Sequence, residues 1–558
     1  MSNGDEMRLA DYVTSHLAGI GVKNVFMLSG TGSIHLDDAF AHQKGMRYIC
    51  ARHEAAAVLM ATATAKLNNE VGVIIATTGP GGTNAIGGVV EAWVDSAPVL
   101  VISGQVHTKQ VSKNVRSFGV QGFNIIENVK KITKYSAQIT NPNLIKYHLE
   151  KSIFMAKNER PGPVWIDIPM NIQAKKINLK NLKSFNPPKL SSKKKNLVPK
   201  FFMNLLKSAK KPVIIFGQGI RSSDSIELFK DLLSLSNIPA ISARMGIDIL
   251  PHNYTQYIGL GGMRGQLAPY EVLKEADFVI ALGTSLTHAF AGKNYNQFSK
   301  NAKLAMVNCD VNELDKPGLN LDISFKAELK SFIGNLIEKI NEEKEIGMRF
   351  SKWLKVCNEY KKKIKFIDKN FEKNPINSYF FVKKLSENCG KNTIFVSDAG
   401  SANYVCSQAL KIKEGQRELT SGAFYSMGLS VPLAIGASVS YPKKKIIAIT
   451  GDGSVELNIQ ELKTISINKL EVKLFVINNG GYASIRKSQD DMVGGRYTDD
   501  IEILNFKKIA DAFELPYHIV DNYQNLDSEI KYILSKKGPM LIELVCDPNQ
   551  KILEIFGD

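Results

Sequence analysis

Ile446-Ile447-Ala448-Ile449-Thr450-Gly451-Asp452-Gly453-Ser454 and Leu474-Phe475-Val476-Ile477-Asn478-Asn479-Gly480-Gly481-Tyr482 are the two stretches on which the fold turns. Each is a short apolar run that ends in a glycine-bearing polar turn, and a segment of helical period from Glu456 to Ile467 lies between them. Runs of this length flanked by a helix read as parallel strands, with both carboxyl ends opening on one edge of the sheet. Asp452 and Asn479, 27 positions apart, are therefore expected to converge there.

The same alternation extends outward in both directions. Val71–Ala76, Val99–Ile102 and Val164–Ile168 form one set of apolar runs. Val213–Phe216, Phe278–Leu282 and Leu304–Val307 form a second, and Thr393–Val396 joins the two opening runs in a third. The expected fold is α/β, with three doubly wound parallel-sheet domains. Composition shifts set the expected limits: an N-terminal domain at 1–175, a lysine- and proline-rich linker at 176–199, a central domain at 200–335, a charged helical linker at 336–375 and a C-terminal domain at 376–558. The first and third units share a strand-rich pattern of similar length.

At 558 residues the chain exceeds a single core, and 44% apolar with 22% charged residues is ordinary for a globular protein. No uncharged apolar run is long enough for a membrane span and the N-terminus has no leader pattern, so a cytoplasmic protein with no membrane association is expected. Six scattered cysteines without a CxxC pair suit a reducing compartment. The net charge of +17 comes from dispersed lysines, with runs at Lys193–Lys195, Lys361–Lys363 and Lys443–Lys445 that read as solvated faces, so no nucleic-acid partner is expected.

Asp452 and Asn479, with a backbone carbonyl, would supply one carboxylate, one amide and one backbone oxygen to a cation. Magnesium prefers such hard oxygens and takes few from protein, leaving the rest to water and phosphate. Gly451 and Gly453 allow close approach of a diphosphate, while Ser454 and the following helix offer hydrogen bonds and a positive end. A glycine turn between strand and helix would by itself explain GDGS; GDGS joined to NNGGY at the next strand end asks for more.

GDG, then 24 residues, then NN resembles the signature of thiamine-diphosphate-dependent enzymes, and the likeness runs along nearly the whole chain, most closely to the acetolactate synthase-like group of 2-oxoacid decarboxylases and carboligases. The resemblance implies Mg²⁺ on Asp452, Asn479 and Gly481, with Tyr482 beside the cofactor. It makes Arg52-His53-Glu54-Ala55-Ala56-Ala57 the segment of the activating glutamate, Glu54, whose carboxyl group bonded to the aminopyrimidine favours removal of the thiazolium C2 proton. Thr77-Thr78-Gly79-Pro80-Gly81-Gly82-Thr83-Asn84 resembles the family's turn near the aminopyrimidine, with Thr78, Gly79, Pro80 and Asn84 as contacts. Ser426 and Met427 fall where the family places the apolar wedge beneath the cofactor, although Met also fills ordinary core gaps. Gln121 matches a catalytic-side glutamine.

Because Glu54 and Asp452 lie in different units, the resemblance implies a homodimer or homotetramer with active sites at the subunit interface. The implied reaction transfers a two-carbon acyl unit from pyruvate or a similar 2-oxoacid to a carbonyl acceptor, a transferase or lyase activity. Two other readings are hydrolysis of a cyclic diketone and a catalytically silent regulatory paralogue. The family's flavin-contacting segment resembles GxRFDDRxTG, whereas Gly283–Gly292 reads GTSLTHAFAG, so FAD is not expected. Ser488 stands where the family has an acceptor-shaping tryptophan. Thr31, Gly32, His35, Lys113, Arg116, Arg486 and Gln489 are expected to border the substrate cleft and to suit an anionic or hydroxylated acceptor.

Overall fold

The computed structural model describes residues 6–111, 115–188, 198–343, 345–364, 367, 369–498 and 502–555; Lys113 and Lys193–Lys195 lie outside them. Three six-stranded sheets organise the chain. The first runs Arg47–Cys50, Asn24–Met27, Gly72–Ala76, Val99–Gln105, Val164–Pro169, Tyr135–Gln138, and every pair in it is parallel. The second runs Tyr257–Leu260, Ala240–Ser242, Pro212–Phe216, Phe278–Leu282, Lys303–Asn308, Ile323–Lys326, again all parallel. The third runs Arg417–Leu419, Thr393–Ser397, Lys445–Gly451, Val472–Asn478, Met540–Val545, Tyr517–Val520, with the same polarity.

Counted in chain order within each sheet, the first and third share the order 2-1-3-4-6-5, and the central one has 3-2-1-4-5-6. In such sheets ligands bind beyond the carboxyl ends of strands where the winding direction reverses. That reversal lies between Asn24–Met27 and Gly72–Ala76 in the first sheet, and between Thr393–Ser397 and Lys445–Gly451 in the third. In the central sheet it lies between Pro212–Phe216 and Phe278–Leu282.

Every expected strand forms, because strands buried on both faces are written as unbroken apolar runs. Strands such as Tyr135–Gln138 (YSAQ) and Arg417–Leu419 (REL) were not expected; they lie at sheet edges, where polar residues suffice. The helix expected from Glu456 instead begins at Asp452, as Asp452–Val455, a 3₁₀ turn Glu456–Asn458 and helix Glu461–Ile467.

Helix Glu54–Asn68 joins the outer units. It carries little amphipathic contrast because it is covered nearly all round, from Glu54 and Ala56 through Leu67. A Cβ on Gly88 would stand 2.7 Å from the Ala55 carbonyl, and one on Gly436 would stand 2.1 Å from that of Met60. Helices Pro80–Val94 and Ser430–Ser440 therefore press on it from two sides. Alanines and glycines are what this spacing requires.

The charged stretch after residue 335 is not solvated throughout. Helix Glu345–Lys363 hides an apolar stripe (Ile346, Phe350, Trp353, Leu354, Cys357) that closes the central core, and Trp353 Nε1 donates to the Pro212 carbonyl at 3.1 Å. Lys361, expected on a solvated face, instead donates to the carbonyls of His252 and Tyr257 at 2.5 and 2.6 Å. Burial, with Lys411 nearby, lowers its pKa to about 8. Strand Glu6–Arg8 pairs antiparallel with Lys176–Asn178, returning the chain to its own start. All six cysteines are free, and Cys357, Cys389, Cys406 and Cys546 are buried.

Candidate active site

On the third sheet, Asp452 is 3% exposed and its carboxylate lies over the neighbouring turn. Oδ1 accepts from Gly453 N at 2.8 Å; Oδ2 accepts from Asn479 N at 3.0 Å and Gly481 N at 2.9 Å. Burial raises its pKa against the opposing pull of these N–H groups. Gly480 and Gly481 have φ of +79° and +105°, so the turn needs glycine. Gly453 is required for another reason: a Cβ there would meet the Tyr482 ring at 2.4 Å, whereas Gly451 has ordinary space. Asp452, Asn479 and Gly481 thus lie together at one strand edge, with the Gly481 carbonyl accepting from Ala483 N at 2.8 Å. Among the described residues no three His, Cys, Asp or Glu side chains gather as a metal site.

Ser454 was expected to face the ligand, yet its hydroxyl is engaged within the protein. It donates to Asp398 Oδ1 at 2.6 Å and accepts from Gly428 N at 2.9 Å. Asp398, fully buried at the other strand end of the same reversal point, also accepts from Ala399 N, Gly428 N, Ser430 N, Ser430 Oγ and Thr450 Oγ1. The sequence reading missed it, although its place after the run Thr393–Val396 was a usable signal. The turn it anchors presents Met427, which is 38% exposed. Ser426 beside it donates through Oγ to Glu91 Oε2 at 2.6 Å, from helix Pro80–Val94 of the first unit.

On the first sheet, Glu54 starts helix Glu54–Asn68, with His53 as the N-cap accepting from Ala55 N at 3.2 Å. Glu54 is 3% exposed and Asn84 Nδ2 donates to its Oε2 at 3.0 Å. The hydroxyls of Thr77 and Thr78 are buried beside it without a partner. Turn Thr31–Ser33 packs on them so closely that a Cβ on Gly32 would fall 1.8 Å from Thr78 Oγ1. Gly79 (φ +59°) backs onto Gln121 (φ +62°), and a Cβ on Gly79 would stand 2.3 Å from the Gln121 carbonyl. A non-glycine residue held in the left-handed region costs about 1–3 kcal/mol and such residues concentrate at functional sites.

Thr31, Pro80, Arg116 and Gln121 are exposed, and His35 and Gln489 half-buried. Arg486, expected at the cleft, is buried; its guanidinium donates to the Gly480 carbonyl and to that of Asn479 at 3.0 Å, bracing the backbone of the Asn479–Gly481 turn. Gln489 donates to Thr498 Oγ1 at 2.6 Å, and Ser488 is exposed with its hydroxyl on the Ser484 carbonyl.

Residues 7–129 match the thiamine pyrophosphate enzyme N-terminal TPP binding domain, 200–336 the central domain of these enzymes, and 398–544 the C-terminal TPP binding domain. The acetolactate synthase large subunit of Lactococcus lactis subsp. lactis (strain IL1403) is 30% identical across 98% of this chain and 93% of its own length. The chain belongs to the thiamine pyrophosphate enzyme family. Chloroplastic acetolactate synthase 1 of Nicotiana tabacum is 27% identical over 98% of this chain and 83% of its own. The acetolactate synthase large subunit of Buchnera aphidicola subsp. Schizaphis graminum (strain Sg) is 29% identical over 90% and 88%. This is a thiamine-diphosphate-dependent enzyme of the acetolactate synthase-like group.

The donor set fits thiamine diphosphate: orphaned threonine hydroxyls and a buried glutamate on one sheet edge, hard oxygens and a glycine cradle on the other. The central sheet of this thiamine enzyme opens at its own reversal point on a cavity of about 870 Å³, lined by Gly217, Gly219, Gly283, Thr284, Arg264 and Tyr404 among others. Gly217 and Gly219 also allow a close approach to Gly283, whose backbone a Cβ on either would meet at 2.6 or 2.5 Å. Among the described residues no helix is long and apolar enough to cross a membrane.

Proposed function

We propose that the enzyme decarboxylates a 2-oxoacid, with pyruvate as the default donor, and transfers the two-carbon acyl unit to a carbonyl acceptor larger and more polar than pyruvate. The observation that carries the reading is Glu54, buried at a helix start on the first sheet's reversal point, with two unpartnered threonine hydroxyls beside it. Bound thiamine diphosphate supplies an acidic thiazolium carbon and an electron sink for the departing CO₂. Glu54 holds the proton at the aminopyrimidine N1′, and Asn84 keeps the carboxyl directed by its bond to Oε2. Thr78, Gly79 and Pro80 would contact the aminopyrimidine, and Met427, exposed on its turn, would pack against the cofactor. Asp452, Asn479 and the Gly481 carbonyl would hold Mg²⁺, which would supply charge to bind the diphosphate, and Gly451 and Gly453 leave room for its approach.

Thr31, Gly32, His35, Arg116, Gln121 and Gln489 form the acceptor side, where Ser488 leaves room that a tryptophan would fill. Arg486 supports the metal loop rather than the substrate. The central cavity has the volume for a dinucleotide and takes Arg160, Arg244 and Arg264 from other segments, but residues 283–292 lack the arginines and acidic pair of the family's flavin segment; the purified enzyme is expected to be colourless, without FAD. The enzyme is cytoplasmic and a homodimer or homotetramer. Phe118, Val120, Phe424, Met427, Ile485 and Met492 support this, since they are exposed apolar side chains beside the two half-sites.

Hydrolysis of a cyclic diketone and a silent regulatory role are not favoured by relatives that are acetolactate synthases, nor by a chain that keeps Glu54, Asp452 and Asn479. The deciding experiment supplies thiamine diphosphate, Mg²⁺ and panels of 2-oxoacids and carbonyl acceptors, and reads CO₂ and ligated product by mass spectrometry. Glu54→Gln is expected to lower turnover by ~10²–10⁴-fold while cofactor stays bound; full activity in that variant sinks the mechanism.

A further inference from the structure

Glu461 has no counterpart among the groups assigned above, although it is fully buried and carries a carboxyl group. It opens helix Glu461–Ile467 of the third unit, nine positions after Asp452. Its Oε1 accepts from Arg52 N at 2.7 Å and from His53 N at 3.1 Å, the two peptide groups immediately before Glu54. Its Oε2 accepts from Thr464 Oγ1 at 2.7 Å. A buried carboxylate needs such donors, and the positive end of helix Glu54–Asn68 adds to them.

We propose that Glu461 is a positioning residue for Glu54: from the diphosphate-binding unit it fixes the two peptide groups that set where the Glu54 helix begins and which way the Glu54 carboxyl points. The tolerance there is small. Asn84 Nδ2 holds Oε2 at 3.0 Å, and Oε1 packs so close to Gly81 that a Cβ there would stand 3.3 Å from it, so a shift of the helix start would move the carboxyl off its partner. Without Glu461, these two part-buried N–H groups would turn toward other acceptors, water included, and carry the first helical residue with them. The unit expected to hold the diphosphate thus also aims the group expected to activate the same kind of cofactor.

This inference rests on the role proposed for Glu54, and the test separates the two. Three readouts are taken on the full chain: amide hydrogen exchange of the 51–57 segment in cofactor-free protein, affinity for thiamine diphosphate with Mg²⁺, and exchange of the cofactor's C2 proton without substrate. Glu461→Ala is expected to speed amide exchange at Arg52 and His53 and to slow C2 exchange by about one to two orders of magnitude, with cofactor affinity nearly unchanged. Glu461→Gln keeps an acceptor oxygen for both N–H groups and is expected to restore most of the C2 rate. C2 exchange at the wild-type rate in Glu461→Ala overturns the proposal, as does a loss of C2 exchange matched by an equal loss of cofactor affinity. If Glu461→Ala does not fold, Thr464→Val frees one carboxyl oxygen and should slow C2 exchange several-fold; an unchanged rate there also overturns it. Glu54→Gln serves as the control: persistent C2 exchange in that variant sinks the role of Glu54 itself, whereas a silent Glu54→Gln beside a normal Glu461→Ala sinks only the positioning role.

Discussion

Asp398 accepts six hydrogen bonds through two oxygens, from three backbone N–H groups and three hydroxyls. These donors belong to the turn before helix Gly400–Ala409, the Met427 turn, the end of strand Lys445–Gly451 and the first turn after it, so one side chain registers four segments of the candidate site. Asp398→Asn replaces an acceptor oxygen with a donor that faces other donors. It is expected to lower the unfolding free energy by roughly 2–4 kcal/mol, measured by urea denaturation, because buried groups left unpaired cost their full desolvation. Cofactor affinity should fall with it.

At the level of elements, the junction between helices Glu54–Asn68 and Ser430–Ser440 is set by the smallest residues. Gly436 lies where any Cβ would meet the Met60 carbonyl at 2.1 Å and the Ala63 methyl at 2.9 Å. Backbone cannot yield as a flexible side chain can, so Gly436→Ala should separate the helices. A loss of about 1–3 kcal/mol is expected from overpacking, read as a lower melting temperature, whereas Gly19→Ala on helix Leu9–Gly19, where nothing lies within 4 Å, should leave stability almost unchanged.

On the scale of the molecule, buried ion pairs lie where the units meet: Arg244 with Glu418 and Asp248 between Arg221 and Arg417 join the central and third units, and the first unit's Lys66–Asp95 pair bonds the Thr420 carbonyl and Gly422 N of the third. Burial alone would raise the Asp248 pKa, but the two guanidiniums outweigh it and hold it at about 2 against an ordinary 3.8. A carboxylate lowered in the folded state stabilises above its unfolded pKa, and that contribution is lost as pH falls through the folded value. Asp248→Asn is therefore expected to cost about 3–5 kcal/mol at neutral pH, since it leaves buried cations unpaired. The difference from wild type should shrink as pH is lowered from 4 toward 2, a comparison made by denaturant titration at each pH. Assembly is tested at the same scale. If a second copy completes each site, mixing and reassembling inactive Glu54→Gln and Asp452→Ala chains should recover about a quarter of wild-type activity, because half the dimers are mixed and each carries one intact site. No recovery would argue that each chain builds its site alone.

What the sequence determined was the set of central strands and the chemistry at their ends. A parallel strand buried on both faces has to be an unbroken apolar run, and the GDG and NNGG turns follow such runs directly. The placement of Asp452, Asn479, Gly481 and Glu54 at strand ends was legible for that reason, each being tied to a strand end by a few residues of chain. Tertiary structure decided what depends on groups distant in sequence. It placed Arg486 on the carbonyls of Asn479 and Gly480 instead of the cleft, and Ser454 on Asp398 instead of a ligand. It also brought Lys361 onto buried carbonyls and set Glu461 against the peptide groups before Glu54, 408 and 409 positions away. A side chain's partner across a domain junction leaves no periodicity in the sequence, since the spacing that creates it is the distance between packed helices and not a count along the chain.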